Sequence, residues 1–433
     1  MAGRVVRHPM KRGGHTAGNK DAGFTGKHRV HKLSIYLQKI LLPKKSSHLL
    51  PVIVLSQFAG TSLWFVGNAV LPELKEQLQL DQYAVSHVTS AVMLGFIAGT
   101  LIFALFALAD RFSPVRLFFI SSLLGALFNC AVAWWVHDAA TLFIFRFLTG
   151  FCLAGIYPVG MKIAADWYNK GLGKAMGYLL GALILGTAFP HLLKNRDFGL
   201  PWRSILYCTS GFAVAGGLLM LFFVGDGPYR KKSGAFQWNA IPTIFRSKQW
   251  RQAAFGYFGH MWEVYTFWGF LPLMLELYAR NHTISLNIPL FSFLIIASGC
   301  LSSIAGGYLS QRFGSARIAF TTLFISCCCC FLSGLFFLLP VTAFLLLLFI
   351  WGLTVASDSP QFSTLVAQYA PENFKGTALT IYNSIGFLIA VISLQVMDRI
   401  FHAGGIAGGT NSFLLLGIGP LIGLLIFYKQ LKK

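Results

Sequence analysis

Two ionisable side chains stand three residues apart in a long apolar stretch. They are His260 and Glu263, with Tyr257 and Phe267 continuing the same helical face and Trp262 and Tyr265 close by. Side chains three apart on a helix are neighbours. A carboxyl and an imidazole withdrawn from water can load and release one proton near neutral pH, which is the chemistry of a proton-driven carrier. The alternative is a static, mutually satisfied pair. A second acid, Asp358, shares a face with Thr354 and Gln361 and is followed by Pro360; Tyr382, Asn383 and Ser384 form a third polar group. Gln57, Thr61, Trp64 and Asn68 recur at spacings of four, three and four, one helical stripe. An aromatic with two amides on one face suits a polar organic solute, and also suits hydrogen bonding between helices. Arg146, and the pair Lys162 and Asp166 four residues apart, complete the set.

These groups need a setting that makes them expensive, and the composition supplies it. The 433 residues are 55% hydrophobic and 11% charged, with a mean hydropathy of +0.64, against about 25% charged in soluble domains. Apolar runs of about 20 residues, enough to cross the hydrocarbon core as a helix, recur along the chain. An ionisable group at the centre of such a helix costs about 2.5–3.5 kcal/mol on insertion scales, so each is a functional expectation. The fold class is an all-α membrane protein of twelve spans, near 51–71, 84–109, 115–136, 141–164, 171–191, 203–225, 250–275, 287–309, 315–339, 341–365, 376–397 and 411–429. The eight cysteines all fall in apolar runs without zinc-site spacing, so they read as small helix residues and no metal is expected.

Basic residues cluster in the tail, in alternate loops and at the C-terminal end, which places both termini in the cytoplasm of an inner, or plasma, membrane. The loop Pro72–Gln82 on the other side is acidic; Lys194, Arg196 and Arg203 run against the pattern. The net charge of +21 is explained by this placement, and nucleic acid is not an expected partner. The first apolar run begins near Leu49, too late for a signal-peptide core. Residues 1–48 therefore read as a basic tail, disordered over the first ~28 residues, with a basic amphipathic surface helix or a solvated linker over His28–Lys45. The organisation is a tail at 1–48, one six-span bundle at 49–225, a basic linker at 226–249 and a second six-span bundle at 250–433.

One loop is written twice. Ala107–Arg116 reads ALADRFSPVR, and Gly306–Arg317 reads GGYLSQRFGSAR; Arg111-Phe112 matches Arg312-Phe313 and Arg116 matches Arg317 at a single offset of 201. Twelve spans split six and six, a basic central loop, this G-x-x-x-D-R-type loop after span two and Arg146-x-x-x-Gly150 in span four resemble the major facilitator superfamily of secondary transporters. The resemblance covers about residues 50–430. It implies a gating role for Asp110, Arg111, Arg116, Arg312 and Arg317, and a part in proton coupling for Arg146. The first copy lacks the usual glycines, having Phe106-Ala107 and Ser113; the second keeps Gly307 and Gly314 but has Gln311 in place of the acid. Span five lacks the Gly-Pro pair of drug/proton antiporters, and spans two and eight lack the arginines of nitrate carriers, which weakens both substrate assignments.

No G-x-S-x-G, P-loop, H-E-x-x-H or dinucleotide motif occurs, so neither an enzyme nor a cofactor is expected. The expected function is alternating-access transport of a small polar, potentially anionic solute by a monomer. Proton coupling would run through Glu263, Asp358 and Arg146. Gln57, Thr61, Trp64, Asn68, His260, Tyr265, Gln361 and Asn383 would contact the solute. The alternatives are a proton-driven exporter of a metabolite or siderophore-like compound and, in a different class, a non-transporting membrane sensor.

Overall fold

The computed structural model describes residues 48–168, 172–195, 198–230, 236–403 and 405–431. The tail and the loop cations Lys170, Arg196, Lys231, Lys232, Lys432 and Lys433 lie outside the described residues.

Among the described residues ten helices are long and apolar enough to cross a bilayer: Ala84–Leu105, Pro114–Trp135, Ala139–Trp167, Leu172–Leu193, Trp202–Phe223, Ile288–Phe313, Ser315–Phe336, Val341–Tyr369, Lys375–Ala403 and Gly409–Leu431. They are spans 2–6 and 8–12. Span 7, Lys248–Asn281, has 34 residues and carries His260 and Glu263, so it is the least apolar of the twelve by design of its sequence rather than by length. Span 1 is Leu49–Thr61, about 20 Å of helix; it breaks at residues 62–65 and resumes as the single turn Val66–Ala69. Successive spans reverse direction, so the start of span 1 and the end of span 12 share one face, termed the terminal face; the other is the far face.

Spans 4 and 10 are also interrupted. Ala139–Leu153 stops and Tyr157–Trp167 restarts with proline in its first turn; Val341–Val355 stops and Ser359–Tyr369 restarts in the same way. Proline cannot donate the hydrogen bond that would carry the helix through, and it fits a first turn. Pro158 and Pro360 are 202 residues apart, nearly the offset of the repeated loop, so the duplication reaches the helix interiors. Span 4 begins with a capping box, in which the Asp138 carboxylate accepts the Thr141 N–H at 2.7 Å.

Within the first bundle, spans 2 and 4 approach at glycine. A side chain at Gly95 would collide with the Phe147 carbonyl, and one at Gly150 with the Val92 carbonyl. The Arg-x-x-x-Gly spacing thus ends on a residue required for close helix contact. The two six-helix bundles meet along spans 5 and 8 and along spans 2 and 11. On the far face the contact is polar and at least partly buried: Asp398 accepts the Ser86 N–H at 3.1 Å, Gln395 donates to Ser90 at 3.1 Å, and Asn287 donates to Asn195 at 2.7 Å. On the terminal face the linker contributes, with the Phe236 N–H on the Ala104 carbonyl at the end of span 2 and the Gln237 N–H on Thr377 at the start of span 11.

Candidate functional site

Between the bundles lies a cavity of about 40 Å³, room for roughly three waters. Span 7 supplies its longest wall, Tyr257, His260, Met261, Val264, Tyr265 and Trp268. Phe96, Tyr157 and three aliphatic residues of span 5 face it from the first bundle; Ser359, Ser363, Asn383 and Phe387 complete it from spans 10 and 11. Toward the far face it is sealed by aromatic rings from both bundles. Trp64 stacks on Tyr265 at 5.9 Å and on Phe387 at 5.8 Å, and Phe65 meets Trp268 edge-on at 6.2 Å. Toward the terminal face Tyr157, Ser359, Ser363 and Asn383 keep partial exposure.

His260 Nδ1 lies 2.8 Å from Asp358 Oδ1, with side chains 3% and 1% exposed. The break in span 10 explains the meeting: Asp358 occupies the cap position of Ser359–Tyr369, where a negative charge faces the positive end of the helix dipole. The pairing expected from spacing, His260 with Glu263, is replaced by this one. Glu263 turns into the second bundle, accepting from Trp351 Nε1 at 2.6 Å, Ser326 Oγ at 3.0 Å and Cys330 Sγ at 3.3 Å. It does not line the cavity.

The span 1 stripe does not stay on one face, because the helix is interrupted within it. Gln57 lies against Gly160 of span 4, and Thr61 against Gly186 of span 5 while its hydroxyl bonds back to the Gln57 carbonyl at 2.8 Å. Asn68 donates to Thr89 of span 2 at 2.6 Å. Trp64 alone of the four reaches the cavity region, as part of its seal. Gln361 faces Gly306 of span 8 rather than the cavity. Tyr265 and Asn383 do line it, and Asn383 Oδ1 accepts from Tyr257 at 3.2 Å. Tyr257 stacks on Tyr382 at 3.8 Å and on His260 at 5.7 Å.

Arg146 is fully buried and holds the break in span 1. It donates to the Leu63 and Trp64 carbonyls at 3.0 and 2.8 Å and to Asn129 Oδ1 at 3.1 Å. Carbonyls freed by a broken helix need donors where water is excluded, and a guanidinium supplies several in one plane.

At the repeated loop, Asp110 pairs with Lys162 of span 4 at 2.8 Å, and Lys162 also approaches Asp166 at 3.9 Å. The acid therefore contacts its own bundle, not the helix ends of the other. Arg230 of the linker donates to the Asp110 and Phe112 carbonyls at 3.1 and 2.6 Å and pairs with Asp226, which accepts from Ser113. Arg111, Arg116, Arg312 and Arg317 are exposed. Ala107 adopts the left-handed conformation at φ 49°, and Gly314 of the second copy sits at φ 85°; alanine occupies the first such position at a steric cost that glycine avoids. Lys194, contrary to the charge pattern in sequence, pairs with Glu73.

Sequence reasoning overlooked Tyr157, Phe387 and Asp398. The first carried a signal, an aromatic followed by proline inside an apolar run. Asp398 has His402 one turn on, with Nε2 at 3.2 Å from Oδ1.

Twelve helices in two bundles around a central polar pair define a multi-pass membrane transporter. The sequence model of the Major Facilitator Superfamily matches residues 53–394, and the chain belongs to that family. It is 31% identical over 121 residues to the probable galactarate/D-glucarate transporter GudP of Escherichia coli K12, covering 27% of this chain and 26% of that one. It is 28% identical over 186 residues to the multidrug resistance protein MdtL of Klebsiella pneumoniae, 40% of this chain and 43% of that one. The matched stretches thus span less than half of these relatives. Among solved structures, the human organic anion transporter MFSD10 superposes with a TM-score of 0.70 at 16% identity, covering 89% of this chain and 100% of that one. A bacterial homologue of the lysosomal transporter Spinster, inward-facing and unoccupied, gives 0.70 at 13%, with 89% and 97% covered. Both share the fold.

Proposed function

We propose that the protein is a proton-coupled secondary transporter of a small polar organic anion, working by rocking of the two bundles around the central cavity. The observation that carries this reading is the buried His260–Asp358 pair at 2.8 Å, with His260 on the wall of the cavity between the bundles and Asp358 behind it. One proton moving on or off that pair changes the charge of a site that must open to each side in turn. Glu263, held by three donors away from the cavity, is a second coupling candidate, and Arg146 a third. His260, Tyr265 and Asn383 are the solute contacts that the cavity wall supports. Asp110, Arg111, Arg116, Arg312 and Arg317 form the gating loops.

The similarity to a probable galactarate/D-glucarate transporter supports an organic anion. Uptake is taken as the first reading because span five lacks the Gly-Pro pair of drug/proton antiporters, and export is the second. Exposed cations at the repeated loops and at Lys248, Arg251 and Lys429 support a cytoplasmic terminal face in the plasma membrane, and the working unit is taken as a monomer.

Purified protein in proteoliposomes with an imposed pH gradient tests the coupling. Asp358→Asn is expected to abolish gradient-driven accumulation and leave solute exchange intact. Accumulation that survives in both Asp358→Asn and Glu263→Gln would remove the coupling proposal.

A further inference from the structure

The cavity wall constrains the solute beyond its charge sign. Its ionisable partners are one imidazole and, behind it, one carboxyl. Among the described residues no Lys or Arg lines the cavity, and the two cations of span 4 are engaged elsewhere, Arg146 on the span 1 carbonyls and Lys162 on Asp110. A solute with two carboxylates would leave one of them desolvated without a cation, which costs several kcal/mol. A polyhydroxylated body fares no better. The Tyr257 hydroxyl donates to Asn383 Oδ1 and Ser363 lies 3.4 Å from the Tyr382 hydroxyl, so uncommitted polar groups on the wall are few beside Phe96, Trp268, Phe387 and the aliphatic side chains. Each hydroxyl buried there without a partner costs about 1–3 kcal/mol. The same wall suits a flat apolar body, because Tyr257, Tyr265, Trp268 and Phe387 present ring faces and edges within one layer.

We propose that the central site, once the bundles part and enlarge the cavity beyond the 40 Å³ of this closed form, takes an organic monocarboxylate with an aromatic or comparably apolar body, whose carboxylate pairs with His260 while Asp358 takes up one proton. This rests on the transport reading above and narrows its solute class. Before binding, the imidazolium and the Asp358 carboxylate neutralise each other. As the solute carboxylate takes the place of Asp358 beside the imidazolium, Asp358 accepts a proton from water. One anion and one proton enter, and the site stays neutral. The other titratable groups around the pair are Tyr157 of span 4, Tyr257 and Glu263 of span 7, and Tyr382 of span 11. None is a cation.

The test is binding to the full-length purified protein, read by quenching of tryptophan fluorescence, with 3-phenylpropionate, galactarate and benzylamine as probes. Saturable binding of 3-phenylpropionate is expected, tightening about tenfold for each unit by which pH is lowered where one proton is taken up. His260→Gln should weaken it by roughly tenfold or more. Asp358→Asn, which already carries the neutral side chain, should bind with no pH dependence, and this holds the proposal to account if the His260 variant fails to fold. Absence of saturable 3-phenylpropionate binding, or equal or tighter binding of galactarate or benzylamine, overturns it. Proteoliposomes separate the two levels. Gradient-driven accumulation of galactarate sinks the monocarboxylate class and leaves transport standing. Binding of 3-phenylpropionate without its accumulation keeps the class and sinks proton-driven transport.

Discussion

Asp398, near the end of span 11, accepts the backbone N–H of Ser86, the third residue of span 2, at 3.1 Å. A carboxylate of one bundle thus caps the helix N-terminus of the other, and His402 Nε2 lies 3.2 Å from its second oxygen. A charge-assisted hydrogen bond of this kind contributes about 1.5–3 kcal/mol, and it exists only while the far face is closed.

Asp398→Ala is therefore expected to shift the population toward far-face opening by roughly 10- to 100-fold. Spin labels at exposed Gln82, just before span 2, and at exposed Arg399 on span 11 report it as a growing long-distance component in pulsed electron resonance. An unchanged distance distribution would mean the contact does not hold the gate.

The terminal-face loop gives a different expectation. Asp110 and Lys162 pair at 2.8 Å inside one bundle and are both largely buried. Asp110→Asn and Lys162→Met should each destabilise that bundle, and the double variant should cost little more than either, a coupling of about 1 kcal/mol. Exposed Gln311→Ala should be close to neutral. Thermal unfolding in detergent measures the cycle; strict additivity would show that the ion pair is incidental.

Arg146 is expected to act on stability before it acts on coupling. Arg146→Met strands the Leu63 and Trp64 carbonyls in a water-poor interior, a loss of roughly 2–5 kcal/mol. Arg146→Lys should recover part of the stability, and a proton-to-solute ratio left unchanged in it would remove the residue from the coupling candidates. A changed ratio in a well-folded Arg146→Lys protein would put the residue in the proton path instead.

Span 4 offers a pH-dependent contribution outside the membrane. The Thr141 N–H, and then its hydroxyl, hold the Asp138 carboxyl below its ordinary value of 3.8. A depressed carboxyl stabilises the fold above the unfolded-state value, and that stabilisation fades as pH falls through the folded value. Asp138→Ala should lower the melting temperature by a few degrees near pH 7, and the gap should begin to narrow only below about pH 3.8, as pH falls toward the depressed folded value. A gap that persists at low pH would assign the effect to something other than the charged cap.

Long apolar runs made the spans legible, and the repeated loop with its offset of 201 made the duplication legible. What sequence left hidden depended on rotation and interruption. Gln57, Thr61, Trp64 and Asn68 form one stripe only on an unbroken helix, and residues 62–65 are not helical in that sense. His260 and Glu263 are neighbours along span 7, but three residues turn a helix by most of a revolution short of closing, so one faces the cavity and the other faces span 9. Which acid meets the imidazole was then decided by where span 10 breaks. Asp398 fell one residue beyond the expected end of span 11, because an acid lowers the hydropathy by which such ends are drawn.

Glu263 also sets a condition on how this molecule can be studied. Cys330 is one of its three hydrogen-bond donors, so the run Cys327–Cys330 is not filler that labelling work can erase freely. A thiol-free background with serine at 330 keeps a donor on the carboxylate. One with alanine leaves a buried acid short of a partner, and any defect in it would be misread as the effect of the label.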